Sequence, residues 1–205
     1  MLMDAAKPVL VTTSAGLKEC ADKLAGAPRY YLDTEFDLAG PAKKLCLIQV
    51  SNGSSDIYLI DPFSLSALEP LAAAIFRSDV EWVVHAGDQD VALLREALHL
   101  KDCPRVFDTQ VAWGLLGAEY PVSLAYLLYK ILGIRSAKNE QAGPWMTRPL
   151  TQEQLDYAAS DVDHLPALRD WLTKRLGELG RETFVHEVSA ETVLPSPAPP
   201  LSLDD

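Results

Sequence analysis

The stretch RYYLDTEFDLAG, residues 29–40, combines the apolar signature of a buried strand with three acids. Tyr30, Tyr31, Leu32 and Phe36 suit a sheet core, and strand side chains alternate, so Asp33, Glu35 and Asp37 are expected to share one face. Like charges so close repel, and something must offset that cost. Two carboxylates at i and i+2 on a strand form a cradle for a hard cation. Taken alone, the pattern is better read as an edge strand whose solvated acids discourage aggregation.

The 205 residues are enough for one well-cored domain. Hydrophobic content of 48% and charged content of 23% are ordinary for a globular protein. No apolar run approaches the roughly 20 residues needed to span a bilayer. The start, MLMDAAKPVLVTTSAG, is interrupted by Pro8 and carries Asp4, a poor signal peptide, so a cytoplasmic protein with no membrane partner is expected. Cys20, Cys46 and Cys103 are far apart and odd in number, which fits reduced thiols better than a disulfide frame or a zinc site. A net charge of −11 argues against a broad basic nucleic-acid surface. It leaves room for an enzyme whose acids bind divalent cations, because the ions reverse the local charge.

Outward from residues 29–36, the pattern predicts strands at 8–13, 44–51, 56–60 and 80–86, with RVFDT (105–109) as a short one. SNGSSD (51–56) predicts a hairpin turn between the third and fourth strands. Helices are predicted from Ser14 as cap to about residue 25, from Ser64 or Ser66, over DQDVALLREAL (88–98), over 109–117, and after Pro121 until Gly133. A long helix opens at Thr151, with Glu153 and Gln154 close behind, and is kinked if anywhere at Pro166. This order implies an α/β fold, a mixed sheet flanked by helices in a single domain over residues 1–190, followed by a Pro- and Ser-rich tail at 191–205.

Further acids stand at suggestive places. Tyr157 and Asp161 are at i and i+4 on one helical face. Asp88 and Asp90 begin the helix after WVVHA, where acids are favoured by the macrodipole in any case. Each fragment alone is weak.

In order, the fragments resemble the tyrosine subclass of the DEDD 3′–5′ exonucleases, most closely the ribonuclease D family. LDTEF (32–36) with LIQVS (47–51) resembles the first exonuclease motif, and VVHAGDQDVALL (83–94) the second, whose register selects Asp90 over Asp88. FDTQVAWGLLG (107–117) is similar to the family's Asp-Thr-Gln helix start, and WMTRPLTQEQLDYAASDVDHL (145–165) to the third motif, Y-x-x-x-D. The likeness runs from about residue 8 to 175. The chain departs from the family by stopping soon after the third motif, where ribonuclease D has helical domains, and by GPW (143–145) where the family reads SDW. A partner or a homo-oligomer could stand in for those domains.

The resemblance implies a ribonuclease H-like fold and a two-metal phosphodiester hydrolysis, with ions about 3.5–4 Å apart. It makes Asp33 a bridging ligand, Glu35 and Asp161 further ligands of the first ion, and Asp90 the holder of the second. Four hard oxygen ligands favour Mg²⁺ or Mn²⁺. Tyr157 orients the attacking water, since a phenol with pKa near 10 is a poor base. The position of the histidine subclass's base is Asp156 here, in keeping with the tyrosine assignment. Lys138 and Arg148 are candidates for phosphate contact, and Phe36 and Trp145 for stacking on terminal bases. His85 is a further candidate at the substrate site, although a structural hydrogen bond is the better reading of a histidine that ends a buried strand. Asp37, Asp163, His164, Lys43 and Lys44 are expected outside the chemistry. The implied activity is release of nucleoside 5′-monophosphates from a single-stranded 3′ end, of RNA rather than DNA. Alternatives are a DNA exonuclease of the Werner type and an inactive nucleic-acid-binding scaffold.

Overall fold

Alternation along the strand Arg29–Ala39 divides the molecule. Tyr30 and Leu32 enter one apolar core and Tyr31 the other, so this strand is the wall between two cores. The computed structural model describes residues 7–39, 42–102, 104–135 and 143–193. Its six strands are β1 (Lys7–Val11), β2 (Arg29–Ala39), β3 (Ala42–Ser51), β4 (Asp56–Ile60), β5 (Glu81–Val84) and β6 (Arg105–Asp108). They form one sheet in the order β1-β4-β3-β2-β5-β6. β3 runs antiparallel to both of its neighbours, while β1–β4, β2–β5 and β5–β6 are parallel pairs. This is the expected mixed, ribonuclease H-like sheet, with the hairpin at 51–56 in place.

Helices α1 (Ser14–Leu24), α2 (Glu69–Ile75) and α3 (Asp88–Ala97) cover one face, where Leu24, Ile75 and Leu94 pack on Leu32, Ile48 and Trp82. The other face is covered by α4 (Thr109–Gly114), α5 (Leu124–Leu127), α6 (Gln152–Asp163) and α7 (Leu165–Glu178). There Ala158, Val162, Leu168 and Leu172 meet Tyr31, Leu47, Leu59 and Val83. None of the helices among the described residues is long and apolar enough to cross a membrane.

Several boundaries differ from expectation for local reasons. Thr13, not Ser14, caps α1, its Oγ1 accepting from the Gly16 N–H at 3.1 Å. Residues 62–64 form only a tight turn, and α2 waits until Glu69, where Pro70 fits the first helical turn. The expected long C-terminal helix is two helices broken at His164, because Pro166 has no N–H to extend the first. Thr151 opens α6 with a capping box that uses Gln154. An unassigned helix, α8 (Phe184–Val193), runs through the expected 190/191 boundary and buries Val185 and Val193.

The β2–β3 register steps between Glu35 and Phe36: Glu35 stands opposite Leu47 but Phe36 opposite Leu45, leaving Cys46 as the extra residue of a bulge. Asp37, beyond the step, faces Lys44 and accepts its neighbour Leu38's N–H. At the opposite end of the sheet, the buried carboxylate of Glu81 ties β5 to two helices. It accepts from Arg169 at 3.0 and 3.2 Å and lies 3.3 Å from His186 and 3.4 Å from Arg29. Burial pushes the Glu81 carboxyl up, but hydrogen bonds from His186 and Arg169 outweigh it and hold it at about 2. A folded pKa below the unfolded one stabilises above the unfolded value and is lost as pH falls. Glu81→Gln should therefore cost about 3–5 kcal/mol at neutral pH, by removing the buried charge that Arg169 and His186 share. In denaturant titrations the gap to wild type should close as pH falls from about 4.5 towards about 2; a gap independent of pH would rule this role out.

Candidate active site

Strand alternation puts Asp33 and Glu35 on the face covered by α6, and the third turn of α6 brings Asp161 down onto them. One carboxylate oxygen from each of the three lies within 4.8 Å of the others. The helix sits close because its inward positions are small, Ala158 and Ala159. Tyr157, one turn before Asp161 on the same helical face, lines the same cavity as that carboxylate, and the buried Trp145 ring packs beside it at 6.2 Å. Leu32, Asp33, His85, Leu124, Tyr157, Asp161 and Leu165 line a cavity of about 180 Å³.

Asp90 arrives from the other side of the sheet, at the start of α3. Thr34 lies between Asp33 and Glu35 and faces away from them, and its Oγ1 donates to Asp90 Oδ1 at 2.5 Å. One tripeptide therefore fixes acids from both layers. The turn before α3 is held by Asp108, which accepts from the N–H groups of Ala86 (3.0 Å) and Gly87 (2.9 Å). The same carboxylate caps α4 through Gln110 N–H at 2.8 Å. Ala86 has φ +52°, and a Cβ on Gly87 would meet Val84 at 2.5 Å, so this turn requires both the clamp and the glycine. Sequence reading passed over Thr34 and Asp108 as site residues. Alternation and N-cap position were the signals for each.

The electrostatics match a cation site. Burial, then Asp90, Asp161 and Glu35, push Asp33 well above the usual carboxylate range, while a Thr34 backbone hydrogen bond pulls it the other way. Burial with Asp161 and Asp90 raises Glu35 to about 8, and burial lifts Asp161 to about 7 against the Tyr157 hydrogen bond. Asp90 is raised by burial in spite of its Thr34 hydrogen bond. Hard, closely spaced oxygens that repel one another fit a divalent cation, with Asp33, Glu35 and Asp161 as the set that would hold it.

The candidates for substrate contact fare differently. All five N–H groups of Arg148 are spent internally: on both Asp61 oxygens at 2.8 Å, on Trp145 O (2.7 Å) and Thr147 O (3.0 Å), and on Cys46 O (2.7 Å), the carbonyl of the bulge residue. It is a clamp, not a phosphate ligand. Trp145 is buried against Tyr157 and presents no face for a base. His85 borders the cavity, but its nitrogens engage Thr109 Oγ1 at 2.9 Å and Val122 O at 3.1 Å, the structural role expected of it. Lys138 lies outside the described residues. Phe36 is half-buried and does not line the cavity, and Lys43, expected in a solvated turn, instead lies 4.9 Å above its ring and bonds Gln89, next to Asp90.

Two outcomes follow. Raised carboxyl pKa values mean that the folded state binds more protons than the unfolded one. The stability of the ion-free protein should therefore be greatest near pH 4 and fall as pH rises through about 8. Asp33→Asn should raise the ion-free melting temperature at about pH 8 and do little at about pH 4; a flat melting profile would contradict this. Arg148→Lys should lose about 1–3 kcal/mol with ion affinity retained, because a lysine cannot replace the fork; equal melting would dismiss the clamp.

Comparison with known proteins agrees with this geometry. A family profile described as 3′-5′ exonuclease matches residues 8–177. Ribonuclease D of Zymomonas mobilis is 33% identical over 190 residues, 91% of this chain and 48% of its own length. The chain thus spans about half the length of the curated relatives it matches. Escherichia coli RNase D superposes with a TM-score of 0.84 at 25% identity, over 91% of this chain and 50% of that one. Brucella melitensis NrnC bound to pGG gives 0.72 at 25% identity over 82% of each chain, and NrnC is also known with bound Mg²⁺. With the matching profile over most of its length and its acids gathered at one site, the chain belongs to the 3′-5′ exonuclease family.

Proposed function

We propose that this chain is a metal-dependent 3′–5′ exoribonuclease that releases nucleoside 5′-monophosphates from the 3′ end of single-stranded RNA. The observation that carries the reading is the meeting of Asp33, Glu35 and Asp161, with Tyr157 lining the same cavity as Asp33 and Asp161. The choice of RNA is supported by the ribonuclease D relatives. Two divalent cations, Mg²⁺ or Mn²⁺, when bound would neutralise phosphate charge and ease departure of the 3′ oxygen.

The chain's own residues do the rest. Asp33, Glu35 and Asp161 hold charge at one point of the cavity, and Asp90, steadied by Thr34, extends that field from the other layer. Burial first, then Asp161, Glu35 and Asp33, push the Tyr157 phenol above its ordinary value, so it stays protonated at neutral pH. Still protonated and beside Asp161 in the cavity, the phenol would hydrogen-bond the attacking water and help aim that water's lone pair at phosphorus. Tyr157 is therefore a positioning group and not the base. Beside α3, Lys43 and Phe36 would offer a cation for phosphate and a ring for a base.

A 5′-labelled RNA oligonucleotide with Mg²⁺ or Mn²⁺ should be shortened stepwise by the wild type. Asp33→Ala should give no detectable shortening, and Tyr157→Phe should lower kcat about 10²-fold. Equal degradation by all three would refute the assignment, and faster digestion of the matched DNA strand would move the substrate to DNA.

A further inference from the structure

Gln49 is a polar residue placed where nothing polar is needed for folding. It lies on β3 between two cross-strand partners, Asp33 of β2 and Leu59 of β4. Leu47 and Leu59 share its face and belong to the core beneath α6. The residue is 0% exposed, yet neither Oε1 nor Nε2 has a hydrogen-bond partner among the described residues. A buried amide without a partner is costly, and a methionine of similar length would avoid the cost altogether.

Its acceptors are few. Leu59 has no polar side-chain atom. Asp61, on the diagonal, is committed to Arg148, Ser64 and the Phe63 N–H. The carboxylate on its own register is that of Asp33. Directly opposed residues on an antiparallel pair have Cβ atoms about 4.5–5.5 Å apart, and a glutamine amide reaches across that gap.

We infer that Gln49 is a positioning residue for Asp33, donating an Nε2–H bond to the carboxylate oxygen turned away from the cation. Such a bond orients the ligand and leaves its other oxygen to the ion, much as outer hydrogen bonds orient ligands in metal sites generally. No other group among the described residues takes up the amide. The amide thus contributes to ion binding at the expense of the ion-free fold.

The inference rests on reading Asp33, Glu35 and Asp161 as a cation site, so the test begins with Mn²⁺ titration of the wild type by calorimetry. Gln49→Met should raise the ion-free melting temperature by a few degrees while weakening Mn²⁺ binding at least about tenfold. On the RNA oligonucleotide it should lower kcat and leave KM unchanged. Gln49→Leu, smaller and free of overpacking, should show the same loss of affinity. A residue that merely supports the core would lower the melting temperature and leave ion affinity alone. Wild-type binding of Mn²⁺ with equal affinity in Gln49→Met and Gln49→Leu would overturn the role of Gln49 alone. No Mn²⁺ binding by the wild type would overturn the cation site and the inference with it.

Discussion

The molecule is organised around a repulsion. Asp33, Glu35 and Asp161 are brought within contact range and half-buried, and Asp90 adds its field from the opposite layer. In the low dielectric of a protein interior such charges raise one another's pKa values and weigh against the folded state. What holds them together is the packing around them: alternation along β2, small residues under α6, and the Thr34 hydroxyl on Asp90. The closeness that would favour a hard cation is the same closeness that weighs against the fold.

The supporting structure explains why several polar residues near the site do not touch substrate. Arg148 spends its whole fork on Asp61, the bulge carbonyl and the loop before α6, and so fixes where that helix begins. Asp108 holds the strained turn at Ala86 and caps α4. Both are buried or half-buried ions whose hydrogen bonds are fully used, which gives them rigidity in place of reactivity.

Expectation and structure part at identifiable points. The four acids and Tyr157 stand where strand and helix periodicities put them. In sequence, Arg148 and Trp145 suit phosphate and base as a cation and an indole in a loop, but neither residue type reveals whether its donors or its face are already taken. Thr34 is an ordinary strand residue until the fold sets Asp90 against its hydroxyl. Helix α8 is hard to read from the sequence because Val185, Val188, Thr192 and Val193 are β-branched and favour strands, and Ser189 anchors it through the Asp108 N–H at 3.1 Å.

The amino-acid order by itself determined which elements form and which residues share a face, because periods of 2 and 3.6 are local properties of the backbone. It also determined the chemistry on offer: hard oxygens and a phenol at fixed spacing. Only the tertiary structure decided that α6 lies across β2, that Asp90 is held through Thr34 from the other layer, that Arg148 is spent and that Gln49 is buried with no partner among the described residues. Those outcomes depend on packing between segments far apart in the chain, and local periodicity carries no information about them.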